Sequence, residues 1–182
     1  MVAIVLFFAS GGRVRGHDFT IGIPSHVRAQ KGGTITLGAG VRVATNARII
    51  ARRGHLVIGS DASIGKNCTL VAFADLHVGR RTLIGENASV HTENHGPPGA
   101  RNNFQREPIW IGSDVWLGAG VVVTAGSTIA DGITVGANSV VTRDLLEPGL
   151  YAGAPAVLIR PYRWEATESV RATRTSGRNH SR

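Results

Sequence analysis

The side chains with the most chemistry in this chain stand within one stretch, "VHTENHGPPGARNNFQREPIWIG", residues 90–112. It holds two histidines four apart, His91 and His95, with Glu93 and Asn94 between them. Two adjacent prolines follow, then Arg101, Phe104 and Arg106. A neutral imidazole can take the proton from a hydroxyl that is otherwise a poor nucleophile at neutral pH. It can also ligate zinc, but a catalytic zinc site asks for three protein ligands and an open position, so a further side chain such as His77 would have to join the pair. Taken alone, the stretch fits an ordinary polar loop just as well. The pattern that it interrupts decides the matter.

On either side, an aliphatic residue returns every six positions. Fifteen hexads can be aligned from Leu37 to the one that starts at Val141, and all of them begin with Ile, Leu or Val. Position two is Gly in eight, and position five is small in eleven. Hexads starting at Ile111, Leu117, Val123, Ile129, Val135 and Val141 follow one another without a gap. A period of six fits neither a helix nor a lone alternating strand. It fits a strand followed by a tight corner, with the aliphatic and the small residue on the inner face and Gly or Asn tolerating positive φ at the bend. Three such sides make a triangular coil of about 18 residues, and coils stacked about 4.8 Å apart bury a continuous aliphatic ladder. Three extra residues before Ile58 and two before Val78 are expected as small bulges at corners. Residues 1–36 form the first, imperfect coils, with Phe19, Ile21, Val27 and Ile35 as possible core. Residues 37–160 form the solenoid, and residues 161–182 a C-terminal extension.

After the hexad at Val90 a new side is due at position 96, yet the next clear unit starts at Ile111, fifteen residues later. Residues of about 94–108 are therefore expected to loop out of the prism. The prolines argue against a strand there, because they lack a ladder donor. A long excursion from a regular solenoid is usually functional.

The pattern over residues 37–160 resembles the hexapeptide-repeat acyltransferases, whose left-handed parallel β-helix assembles as a trimer. "TENHG" at 92–96 is similar to the catalytic segment of their sugar and polysaccharide O-acetyltransferases. "PIWIGSDVWLGAGVVVTAGSTI" resembles the segment after their loop, and "VGANSVVTRDLLEPGLYAGAPAVLIR" their closing coils. The resemblance implies an all-β fold, a left-handed parallel β-helix with one looped-out insertion. It implies a homotrimer, acetyl-CoA as co-substrate with no metal required, and a sugar or glycan-related hydroxyl as acceptor. It also assigns His95 as general base and the backbone N–H of Ala119 as donor to the thioester carbonyl, with Trp116 lining the acyl channel. One coil on, Ala137 would contact the pantetheine arm, while Thr142 and Arg143 fall at the nucleotide end. Arg160 matches a phosphate-binding arginine, a role that suits a guanidinium. Val157 departs from the pattern, since many relatives carry a second basic residue there, which implies a weaker or differently built nucleotide clamp. His91, Glu93 and Asn94 are candidates for orienting His95 or the acceptor. Arg101, Phe104 and Arg106 are candidates for shaping the acceptor pocket. Trp110 and Trp116 each precede an inward aliphatic and are expected to face outward.

Composition bounds the remainder. The 182 residues carry a net charge of +8, and the tail from 171 to 182 holds four arginines and no acid. That tail is polar, aperiodic and expected to be disordered. The body has no basic stripe interleaved with aromatics, which speaks against nucleic acid; an acidic small-molecule partner accounts for its residual charge equally well. No apolar run approaches the length of a membrane span, so no membrane insertion is expected. "VAIVLFFA" at 2–9 lacks a basic n-region and suits an opening strand better than a signal peptide. A single cysteine, Cys68, excludes an internal disulfide framework and fits the cytoplasm, where it would serve as packing. Three alternatives keep the same fold. One is an N-acetyltransferase of an amino sugar using the same base. The second is a zinc enzyme resembling the γ-class carbonic anhydrases, and the third a scaffold without chemistry.

Overall fold

The computed structural model describes residues 12–100 and 102–162. The opening "VAIVLFFA", Arg101 and the arginine-rich tail lie outside the described residues. No helix occurs among the described residues, and the strands wind as a parallel β-solenoid whose three sheets hold six, eight and six strands. Face one runs through Arg13–Gly16, Thr34–Leu37, His55–Ile58, Leu76–Val78, Ile109–Ile111 and Thr128–Ile129. Face two runs through Thr20–Ile21, Arg42–Val43, Ser63–Ile64, Leu83–Ile84, Trp116–Leu117, Thr134–Val135 and Gly149–Ala152. Face three runs through His26–Gln30, Arg48–Arg52, Thr69–Ala72, Ser89–His91, Val122–Val123 and Val140–Val141.

The hexad explains each feature of this winding. All fifteen leading aliphatics are buried, none more than 3% exposed. The fifth residues share that interior, Val41, Ala47, Ala62, Cys68 and Ala88 among them. Fourth residues make the corner: Asn46, Asp61, Asn67, Asn87, Asp114 and Asn138 all have φ between 57° and 60°. Asn and Asp bear this left-handed conformation better than most side chains. At one corner they also form a ladder, Asn46 donating to Asn67 at 2.8 Å and Asn67 to Asn87 at 3.1 Å. Glycine at position two answers a different need. A Cβ on Gly118 would lie 2.6 Å from the backbone nitrogen of Ala137 in the next coil, and one on Gly85 2.6 Å from that of Ala119. The corners approach too closely for any side chain there.

Two expectations need correction. The extra residues before Ile58 and Val78 are not bulges. They lengthen the strands of faces one and three without breaking register, so that Ile35, Leu56, Leu76 and Ile109 form a second buried ladder, and Ala29, Ala51 and Ala72 a third. Trp110 pairs with Thr128, the 18-residue step of an ideal coil, whereas Thr34 pairs with His55, a step of 21. Extra residues that add to a strand gain both ladder hydrogen bonds and burial, which a bulge would forfeit. The chain also reverses at its described end. Val157–Pro161 runs antiparallel to Gly149–Ala152, so "VLIR" forms an edge strand rather than a further coil. Residues 12–36 supply a first coil paired in parallel with the second; Val27 and Ile35 are buried, and Phe19 and Ile21 pack against the core.

Candidate active site

The excursion between faces three and one is a β-hairpin. Glu93–His95 pairs antiparallel with Phe104–Arg106, setting Glu93 opposite Arg106, Asn94 opposite Gln105 and His95 opposite Phe104. The prolines exclude a strand only at their own positions. Pro97 and Pro98 lie in the connection, and the residues flanking it keep their donors. At the root stands Thr92, fully buried where the preceding coils carry Ala72 and Ala51. Its Oγ1 accepts from the N–H groups of Phe73 and Ala74 at 2.8 and 2.9 Å, and its carbonyl accepts from Glu107 at 3.2 Å. The hydroxyl serves the backbone groups freed where the chain leaves the sheet.

Side chains on the hairpin brace one another. The Arg106 Nε donates to the Glu93 carboxylate at 2.6 Å, and its guanidinium carbon lies 5.4 Å from the Phe104 ring centroid and 5.6 Å from that of Phe73. The His95 ring stands 5.0 Å from that of Phe104, tilted by 54°. His91 lies on face three; its Nε2 is 2.9 Å from Ser89 Oγ. Burial, and then the nearby Arg48 cation, push its pKa below the ordinary imidazole range.

A second group of candidates lies elsewhere. Trp116 sits on face two, 56% exposed. Ala119 and Ala137 occupy the corner joining face two to face three, stacked one coil apart as Trp116 pairs with Thr134. Neither alanine N–H donates to a backbone carbonyl among the described residues, and Ala119 accepts through its carbonyl from Asn138 at 2.8 Å. The hairpin springs from the other edge of face three, at the corner leading to face one. One chain therefore holds the His95 hairpin and the Ala119 corner on opposite sides of the same face. Thr142 and Arg143 follow Val141 at the hairpin's corner, two coils nearer the C-terminus, and both are exposed. Arg160 lies on the reversed strand beside Leu150, also exposed. Among the described residues neither arginine is in an ion pair, leaving both cations available to an anion. Val157 lies on that strand and is 43% exposed.

The remaining candidates fall outside both groups. Trp110 faces outward on face one, stacked on His77 at 3.9 Å and 8°. His77 thus lies on a different face from His91, and no group of three metal-ligating side chains occurs among the described residues. Cys68 is buried, its Sγ 3.0 Å from the Gly85 carbonyl, and burial pushes its thiol pKa up. No helix among the described residues is long and apolar enough to cross a membrane. Sequence reasoning missed Thr92 and Phe73. Only the longer register shows Thr92 as a polar residue where earlier coils place alanine.

Comparison with known proteins agrees with this architecture. Residues 108–143 match the family model described as bacterial transferase hexapeptide (six repeats). A protein of Escherichia coli (strain K12) named for lipopolysaccharide biosynthesis O-acetyl transfer, WbbJ, is 30% identical over 159 residues, covering 80% of each chain. Among solved structures, the N-acyltransferase AntD from Bacillus cereus, in complex with dTDP and 3-hydroxybutyryl-CoA, superposes with a TM-score of 0.71 at 20% identity, over 82% of this chain and 83% of that one. The hexapeptide-repeat acetyltransferase VCA0836 from Vibrio cholerae O1 biovar eltor, complexed with acetyl coenzyme A, superposes with a TM-score of 0.54 at 27% identity, over 82% and 71%. A β-solenoid wound from hexads, interrupted among its described residues by a histidine-bearing hairpin and related to WbbJ along most of its length, belongs to the hexapeptide-repeat acyltransferase family.

Proposed function

We propose that this chain transfers an acetyl group from acetyl-CoA to a hydroxyl of a sugar or glycan-related acceptor, in the cytoplasm, as a homotrimer. The observation that carries the reading is the hairpin itself, the one long excursion among the described coils, which presents His95 beside Phe104. Similarity to WbbJ supports O-acyl transfer, and the acetyl-CoA complex of VCA0836 supports the donor. The separation of hairpin and Ala119 corner within one chain supports a site closed by a second copy, as in a threefold ring that repeats one heterologous contact.

In this reading His95 removes the acceptor hydroxyl proton as the hydroxyl oxygen adds to the thioester carbonyl carbon. The Ala119 N–H of a neighbouring chain donates to the oxygen that gains charge, an interaction worth a few kcal/mol when preorganised. His95 then returns the proton to the departing thiolate as the carbon–sulfur bond breaks. Ala137 holds the pantetheine arm by its N–H, Trp116 walls the acyl channel, and Thr142, Arg143 and Arg160 receive the nucleotide phosphates. Glu93, through its bond to Arg106, keeps the hairpin in shape beside the acceptor, with Asn94 and His91 flanking it. Arg101, on the same excursion as Phe104 and Arg106, is assigned with them to shaping the acceptor pocket. Holding both substrates at one cleft supplies much of the acceleration.

The test follows free thiol release from acetyl-CoA across a panel of sugars, amino sugars, nucleotide sugars and oligosaccharides. Hydroxyl-dependent release, reduced about 10²- to 10⁴-fold in His95→Ala, is expected for a general base. Full activity in that variant removes His95 from the mechanism, and product acetylated only on an amine replaces O-transfer by N-transfer.

A further inference from the structure

The long strands of face three do more than extend the core. Their outward side chains line an open cavity of about 690 Å³ that includes His26, Arg28, Arg48, Arg52, Phe73 and His91. Register aligns them: Arg28 pairs with Ile50, Ile50 with Val71 and Val71 with His91, so Ile50 and Val71 form an apolar floor between the cations. No acidic side chain lines it among the described residues. Neither Arg28 nor Arg48 is in an ion pair there, and Arg52 is engaged only by the Phe73 ring, 5.8 Å from its guanidinium carbon. Three uncompensated guanidinium groups in one cleft focus the field on an incoming anion.

The cavity also leads to the hairpin. Phe73 lies between Arg52 and Arg106, whose guanidinium carbon is 5.6 Å from its ring, and Arg106 reaches Phe104, the neighbour of His95. The cleft is thereby joined, through Phe73 and Arg106, to the hairpin that carries the group assigned as base. The nucleotide-end arginines, Arg143 and Arg160, lie in the last coils, so this cleft is separate from theirs. We propose that the face-three cleft receives the anionic part, a carboxylate or a phosphate, of an acidic saccharide acceptor, with Arg28, Arg48 and Arg52 as its counter-charges. The proposal rests on the acyl-transfer reading and names its acceptor class. Arginine suits either anion because its planar fork matches paired oxygens.

Calorimetric titration of the full chain tests it with matched probes. These are tetragalacturonate against its neutral methyl ester, glucose 1-phosphate against glucose, and inorganic phosphate alone. At least one charged saccharide should bind ten-fold or more tighter than its neutral partner, with the advantage falling as salt rises. Arg48→Gln combined with Arg52→Gln should abolish that advantage while leaving the melting temperature in place. Which pair responds tells carboxylate from phosphate. Equal binding within both pairs, or an unchanged preference in the double variant, overturns the proposal. So does inorganic phosphate binding as tightly as the charged saccharides, which would mark a free-anion site. Thiol release measured on the same samples separates the two readings. Charge-selective binding with no release from acetyl-CoA to any member of the wider acceptor panel strikes acyl transfer and upholds the cleft; release to neutral acceptors with no charge preference strikes the cleft alone.

Discussion

His95 owes its position to backbone pairing, since the cross-strand bonds with Phe104 fix the strand that bears it. Its neighbour His91 makes a prediction about stability. Because burial and Arg48 hold the His91 pKa below that of an exposed imidazole, the unfolded chain takes up a proton at a pH where the folded chain does not. Stability is therefore complete above the ordinary value near 6.5 and declines as pH falls through the depressed one. His91→Gln should flatten the melting temperature between pH 7.5 and 5; an unchanged slope would show that other groups govern the acid limb. Arg160 predicts a kinetic effect. Arg160→Ala should raise the KM for acetyl-CoA several-fold with little change in kcat, whereas an unchanged KM would remove its phosphate contact. The places of His91 and His95 at the root of the excursion were legible in the sequence, since each sits at a fixed offset from the Val90 hexad; that of Arg160 was not, because "VLIR" turns back as an edge strand instead of continuing the coils. Thr92 and Phe73 were not, because their meaning depends on which coil lies beneath them.

Among the elements, the hexad told most of the story before any coordinates. Periodic aliphatics announced the buried ladder and Asn the left-handed bend, whereas the close approach that demands glycine at position two, and the sharing of position four by Asp, show only once the coils are stacked. The lengthened strands of faces one and three escaped it, since a gap in period six does not say whether extra residues bulge or extend. The hairpin escaped it too, because two prolines at a turn look the same on paper as two prolines in a disordered loop. The close-approach argument is open to measurement. Gly118→Ala puts a methyl group 2.6 Å from the Ala137 nitrogen and should cost about 1–3 kcal/mol. At Gly136 the nearest atom is the Ala152 Cβ at 3.3 Å, so Gly136→Ala should cost less than about 1 kcal/mol. Chemical denaturation of the two variants compares them, and equal losses would refute a steric origin for the glycine preference.

At the scale of the whole molecule, the two halves of the proposed site stand at opposite edges of face three. Mixed assemblies test whether copies complete one another. Co-refolded His95→Ala and Arg160→Ala chains should, at limiting acetyl-CoA, exceed the mean of the two separate variants, because some junctions then pair an intact His95 with an intact Arg160. Activity equal to that mean would place both residues in a single chain's site. The reversed strand Val157–Pro161 bears on a different matter. A column of parallel strands ends in a row of open amide and carbonyl groups that would accept another column, head to tail, without limit. By turning back along face two, the chain lays an antiparallel strand over that row, so the edge it presents there no longer repeats the parallel column and an incoming coil finds no matching register to continue on that face.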